Sequence, residues 1–191
     1  MPTFATVLMA GGASKRMGCD KALLELPGSG QLLWQRQWQV LEALKPQELF
    51  WSGPARPQMP PNAKIIADGV ANAGPLAGIS ACLHASSSDL LIVLAVDLPR
   101  MTTPFLRDLM SRCTDTRGAV IQHGDFFEPL AAVYPKQLHS LATDHLAQGR
   151  YALQDFIRQA RRQDALAVIS LDEADGPLFK NVNAVSDIEG A

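Results

Sequence analysis

The chain has 191 residues, 47% of them hydrophobic and 19% charged, enough apolar material for a full-sized core. That excludes an intrinsically disordered chain and a disulfide-stapled miniprotein. Lys and Arg number 17 against 19 Asp and Glu, a net charge of −2, so no basic excess draws the chain to nucleic acid or an anionic membrane.

The chain starts Met1-Pro2-Thr3-Phe4-Ala5, without the charged start and small-residue cleavage site of a signal peptide, which predicts a cytoplasmic protein. Phe4–Met9 is the first strand candidate. Trp34, Trp38 and Leu41 then fall on one helical stripe, with Leu33, Val40 and Leu44 beside it. A second strand covers 49–52, and a third covers 63–67. Between them, residues 53–62 hold Pro54, Pro57, Pro60 and Pro61, the mark of an exposed loop. Gly74-Pro75 precedes Leu76, Ile79 and Leu83, placing proline at the first position of a helix. Residues 90–96 are seven consecutive apolar residues, which suits a strand covered on both faces. Thr103-Pro104 opens the next helix, with Thr103 as its expected cap. Strands are expected at 118–122, 130–134 and 166–171, with a polar turn at 122–128. Leu153, Phe156, Ile157 and Ala160 give the i, i+3, i+4, i+7 pattern of a helix. Strand–helix alternation of this kind predicts a three-layer α/β/α sandwich on a mostly parallel, Rossmann-like sheet. One domain over 1–191 is expected, and no apolar run approaches the roughly 20 residues of a membrane helix.

Ligands of such sheets bind beyond the carboxyl ends of the strands. After the first strand comes Ala10-Gly11-Gly12-Ala13-Ser14-Lys15-Arg16-Met17-Gly18-Cys19-Asp20-Lys21. Small residues there uncover backbone N–H groups, and Arg16 and Lys21 add two cations, so the segment suits a triphosphate cradle. It is neither a Walker A loop nor Gly-x-Gly-x-x-Gly, and an ordinary glycine-rich turn with solvated cations is the competing reading. Asp97 follows the long strand, where a carboxylate can hold Mg²⁺ or simply cap a turn before Pro99. Asp68, after the third strand, has the same two readings, with a ribose or base in place of the metal. Gly74-Pro75-Leu76-Ala77-Gly78 can offer free helix N–H groups to a substrate or serve close helix–sheet packing. Asn183 can ligate the metal or cap a last short helix around 184–188.

The remaining features are weaker. His84, His123, His139 and His145 share no ligand spacing and read as surface or loop residues. Cys19, Cys82 and Cys113 are odd in number and far apart, which fits neither disulfides nor zinc. Ser86-Ser87-Ser88 reads as a linker, Trp34 and Trp38 as core or dimer-face residues. Arg150, Arg158, Arg161 and Arg162 read as a solvated basic face, with contact to a phosphorylated substrate as the alternative.

The segment 8–21 resembles the signature of the MobA-like nucleotidyltransferases. The resemblance continues through Asp68, 74–78, Asp97-Leu98-Pro99, Glu128-Pro129-Leu130 and Asn181-Val182-Asn183, in the family's order and over nearly the whole chain. It implies a fold of the nucleotide-diphospho-sugar transferase type, with nucleotide bound by residues 1–100 and acceptor by 101–191. It further implies that Met9, Ala10 and Gly11 contact a guanine nucleotide through backbone and that Gly12, Arg16 and Lys21 hold its phosphates. Asp68 would take the nucleoside, Asp97 both Mg²⁺ and GTP, and Asn183 would assist at the metal. Gly74, Pro75, Leu76 and Gly78 are the candidate acceptor contacts, with the Glu128-Pro129-Leu130 region beside them. The implied reaction transfers GMP from GTP to the terminal phosphate of molybdopterin, within reach of molybdenum-insertion or molybdoenzyme-maturation proteins. Ala10-Gly11-Gly12 resembles the guanylyl branch; a cytidylyl or sugar-phosphate nucleotidyltransferase, or a binding module without turnover, are the alternatives. Where many members carry asparagine at the end of the second strand, this chain has Trp51-Ser52-Gly53-Pro54, so no nucleotide contact is expected there.

Overall fold

The computed structural model describes residues 2–11, 20–56, 59–67 and 73–182. In chain order they form β1 (Phe4–Met9), α1 (Leu33–Glu42), β2 (Glu48–Ser52), β3 (Lys64–Ile66), α2 (Pro75–Ala85), β4 (Leu90–Ala95) and α3 (Thr103–Ser111). There follow β5 (Gly118–His123), β6 (Phe126–Phe127), β7 (Ala131–Pro135), α4 (Leu138–Ala147), α5 (Leu153–Arg162) and β8 (Leu166–Ser170). Short 3-10 turns lie at Lys21–Leu23 and Glu173–Phe179.

The strands join one sheet in the order β3-β2-β1-β4-β7-β5, with β6 and β8 both paired to β5. β3, β2, β1 and β4 run parallel. β7 runs against both β4 and β5, β6 forms a hairpin on β5, and β8 is parallel to β5. The sheet is therefore mixed, with β7 turned against a mostly parallel set. Alternation along the strands divides the apolar residues between two layers. Leu8, Trp51, Ile92 and Leu94 pack under α1 and α3. Ala5, Val7, Phe50, Leu91 and Val93 pack under α2, α4 and α5. β4 lies between these layers with every residue buried, which is why its sequence is apolar without a break. No helix among the described residues is long and apolar enough to cross a membrane.

Several local expectations change. Thr102 caps α3, its hydroxyl accepting from Phe105 N at 3.4 Å, while Thr103 donates to Val40 O at 3.0 Å and so ties α3 to α1. The polar turn at 122–128 contains the two residues of β6. α4 has no counterpart in the sequence reading, and His145 on it is fully buried, not at the surface. Its Nε2 lies 2.8 Å from Gln159 Oε1, and its ring meets Phe156 edge-on. Trp34 and Trp38 are core residues that pack on Trp51.

The serine triplet is also more than a linker. Ser86 Oγ, Ser87 N and Ser87 Oγ donate to Glu48 Oε2 at 3.2, 2.9 and 3.1 Å, while Lys64 Nζ sits 2.9 Å from Oε1. Burial works to raise the Glu48 carboxyl, but these hydrogen bonds outweigh it and hold the group below its ordinary 4.5. A lowered folded-state pKa stabilises fully above the unfolded value and is lost as pH falls through the folded one. Glu48→Gln should therefore lower the melting temperature at pH 7. The gap from the wild type should close as the pH is taken below 4.5, which thermal melts across an acid series measure.

Candidate active site

From β1 the chain crosses to β2 on one side; from β3 it returns past β1 to β4 on the other. The crevice at the carboxyl ends of β1 and β4 is the point where connections part, the usual ligand position in an open α/β sheet. Val96 N donates to Met9 O at 3.1 Å and keeps the two strand ends together. Asp97 follows directly, and its turn is anchored from α1. The buried Gln37 amide donates to Leu98 O, and Arg36 Nη2 to Met101 O at 3.4 Å. Val182 N donates to the Asp97 backbone carbonyl at 2.9 Å, bringing the C-terminal stretch to the same place.

Lys21 reaches this crevice from the other end of the glycine-rich segment. Asp20 caps its 3-10 turn, Oδ1 accepting from Ala22 N at 3.1 Å. Lys21 Nζ then lies 3.3 Å from Asp97 Oδ2, with side chains 22% and 25% exposed. A pair so open to water contributes about 0–1 kcal/mol of stability. Its significance is positional: a cation and an anion from distant parts of the chain share one crevice.

Arg56, absent from the sequence reading, is built into the same place. Its Nε and Nη2 donate to Asp20 Oδ2 at 2.9 and 2.6 Å, and Nη2 also to Ala10 O at 3.1 Å. The guanidinium lies 5.1 Å from the ring centre of the fully buried Trp51. No motif signalled this residue; the only clue is an arginine four positions after the end of β2, on the ligand-binding edge.

The other candidates fall as follows. Met9 and Ala10 are buried, and their backbone is engaged: Met9 O accepts from Val96, Ala10 N donates to Ser52 O at 2.8 Å, and Ala10 O accepts from Arg56. Gly11 is the exposed member of the three. Gly12, Arg16, Asp68 and Asn183 lie outside the described residues. Gly74 and Pro75 are exposed at the start of α2, whereas Leu76 and Gly78 are buried. Leu76 belongs to the core under α2, so its side chain is not available to an acceptor and only backbone is. Glu128 stands at the same sheet edge, because Leu130 O, two residues on, accepts from Ala95 N at 2.7 Å. Burial pushes the Glu128 carboxyl up, against the opposing pull of His123 4.0 Å away.

A parallel α/β core with a lysine and an aspartate at its switch point places the molecule among the α/β proteins that take ligands at their strand ends. Residues 6–170 match the MobA-like NTP transferase domain, and the chain belongs to that family. It is 36% identical over 187 residues to a protein of Opitutus terrae named "Probable molybdenum cofactor guanylyltransferase", covering 96% of this chain and 92% of the relative. The crystal structure of molybdopterin-guanine dinucleotide biosynthesis protein A from Archaeoglobus fulgidus shares the fold with TM-score 0.72 and 22% identity, over 98% of this chain and 96% of that one. So does 2-C-methyl-D-erythritol 4-phosphate cytidylyltransferase from Thermus thermophilus, with TM-score 0.70 and 15% identity over 100% and 97%.

The loops after β1 and β2 touch through glycines. A Cβ on Gly53, whose φ is +144°, would stand 2.6 Å from Gly11 N and 2.7 Å from Ala10 C. Both neighbours are backbone, so nothing can rotate aside. Gly53→Ala should destabilise the protein by about 1–3 kcal/mol and weaken GTP binding together with it, measured by denaturant unfolding and by titration calorimetry.

Proposed function

We propose that the chain transfers GMP from GTP to the terminal phosphate of molybdopterin, forming molybdopterin guanine dinucleotide and releasing pyrophosphate. Membership of the MobA-like family and the named relative from Opitutus terrae support this reading. The observation that carries it is the approach of Lys21 Nζ to Asp97 at the switch point. On this reading residues 1–100 hold the nucleotide and 101–191 the acceptor, with Asp97 near their border.

The acceptor is a phosphate, already an anion, and needs no strong general base. A phosphate oxygen attacks the α-phosphorus of GTP, the α–β bridging P–O bond breaks, and pyrophosphate departs with the bonding pair. Two anions must meet, so catalysis rests on charge neutralisation and in-line positioning. Lys21, with Arg16, would hold the triphosphate and stabilise the departing pyrophosphate. Gly11 and Gly12 would let it approach the backbone, and Asp68 would take the nucleoside. Gly74 and Pro75 at the start of α2, with Glu128 across the edge, are the proposed acceptor contacts.

Mg²⁺ fits the groups present. Among the described residues no cluster of three or more His, Cys, Asp or Glu makes a protein cage, and Asp97 offers one part-exposed carboxylate at the crevice. One carboxylate completed by substrate phosphates and water is the usual Mg²⁺ arrangement. Asp97 would hold the ion, with Asn183 as a second oxygen ligand. Bound there, it would supply neutralisation of the α-phosphate charge. The product would pass to proteins of molybdenum insertion or molybdoenzyme maturation.

The test is pyrophosphate release with each nucleoside triphosphate, with and without molybdopterin and Mg²⁺. GTP should be used in preference to CTP, and only with molybdopterin present; a preference for CTP, or turnover with a sugar phosphate alone, overturns the assignment. Asp97→Asn should lower kcat by at least about 100-fold while the fold persists by circular dichroism. Lys21→Ala should lower kcat/KM for GTP by about 100-fold, and an unchanged value would refute the cradle.

A further inference from the structure

The geometry points to Arg56 as a positioning residue of the transferase site, one that sets Lys21 by holding Asp20. The inference rests on the nucleotidyltransferase reading above. Asp20 divides its two oxygens between two tasks. Oδ2 takes both Arg56 bonds, at 2.9 and 2.6 Å, which leaves Oδ1 to cap the turn through Ala22 N at 3.1 Å. Lys21 is the first residue of that turn, and its Nζ is 3.3 Å from Asp97. The order of contact therefore runs from Arg56 to Asp20, from Asp20 to the capped turn, and from the turn to the lysine in the crevice.

The same guanidinium bonds Ala10 O at 3.1 Å. One side chain thus grips residues on both flanks of the glycine-rich segment, at the end of β1 and at the start of the turn. The grip is itself braced. The Arg56 side chain is only 7% exposed and packs over Trp51, while Arg56 N donates to Met59 Sδ at 3.1 Å and Arg56 O accepts from Met59 N at 3.2 Å. Lysine cannot reproduce this, because an ammonium is a single point of charge and lacks the planar fork.

Stability alone does not explain the arrangement. Arg56 Nη1 is buried and has no hydrogen-bond partner among the described residues, and a buried cation with such a donor costs free energy that an apolar side chain of similar size would avoid. Being shut off from solvent, Nη1 does not reach a ligand; Arg56 acts through Asp20. The interaction also assigns work to the loop after β2, where the sequence departs from the family's asparagine: it braces Ala10 and Asp20, on either side of the glycine-rich segment.

The experiment is a double-mutant cycle of Arg56→Ala and Lys21→Ala on kcat/KM for GTP, by pyrophosphate release with molybdopterin and Mg²⁺, alongside thermal melts. Arg56→Ala should lower kcat/KM by about 10- to 100-fold, the range expected of a small misplacement of a catalytic group. In the Lys21→Ala background the same change should add less than about twofold, since the lysine through which it acts is gone. Added methylguanidinium should restore part of the rate to Arg56→Ala and none to the double variant. Arg56→Lys should not restore it; if Arg56→Ala does not fold, the same cycle is run with Arg56→Lys. Losses that multiply in the double variant, or a folded Arg56 variant with unchanged kcat/KM, overturn the inference. Failure of the nucleotidyltransferase reading looks different: the unaltered protein itself would then release no pyrophosphate from GTP in the presence of molybdopterin and Mg²⁺.

Discussion

The proposed reaction depends on one contact: an ammonium and a carboxylate, 76 residues apart in sequence, lie 3.3 Å from each other where two parallel strands end. The pair is partly open to water, so it is weak as a brace. That weakness suits the proposed reaction. On that proposal, a triphosphate entering the crevice would offer Lys21 new anionic partners, and a divalent cation would offer Asp97 a replacement for the lysine.

What keeps the two groups together is the scaffold around them. β4 brings Asp97 to the edge from a strand buried along its whole length, and α1 pins the turn that follows through Gln37 and Arg36. The loops after β1 and β2 interlock, with Ala10 N on Ser52 O and Gly53 against the backbone of Ala10 and Gly11. This interlocking uses up the backbone groups of Ala10 and leaves Gly11 exposed beside the crevice. The same contacts thus fix Ala10 and leave Gly11 open to solvent.

The resemblance in fold to a cytidylyltransferase, at 15% identity, says that the sheet does not choose the base or the acceptor. Those choices belong to side chains and backbone groups presented at the strand ends. The sheet contributes the switch point, the helix start at Gly74 and the edge on which Glu128 stands.

Much of the architecture was legible because it is local. Phe4–Met9 was expected with the bounds the structure has, and the run at 90–96 and the proline opening α2 followed from apolar continuity and fixed φ. α4 escaped notice because a buried His145 completes its stripe of Leu138, Leu141 and Ala142; a polar residue at the i+7 position hides an i, i+3, i+4 pattern. The reversal of β7 was equally hidden, since a short apolar strand run carries no direction. Arg56 and Gln37 were missed for a different reason: each acts on residues far along the chain, and no spacing encodes such a contact. Lys21 and Asp97 were expected from sequence to converge, because a glycine-rich loop and a strand-end carboxylate have chemical signatures of their own and both belong at the carboxyl edge of the sheet. Side-chain chemistry and short-range periodicity belong to the sequence and identified which groups were capable of acting. How closely they approach, which backbone atoms are already occupied and which arginine bonds both Ala10 and Asp20 were decided by tertiary packing, because distances across a sheet are set by layers closing over it.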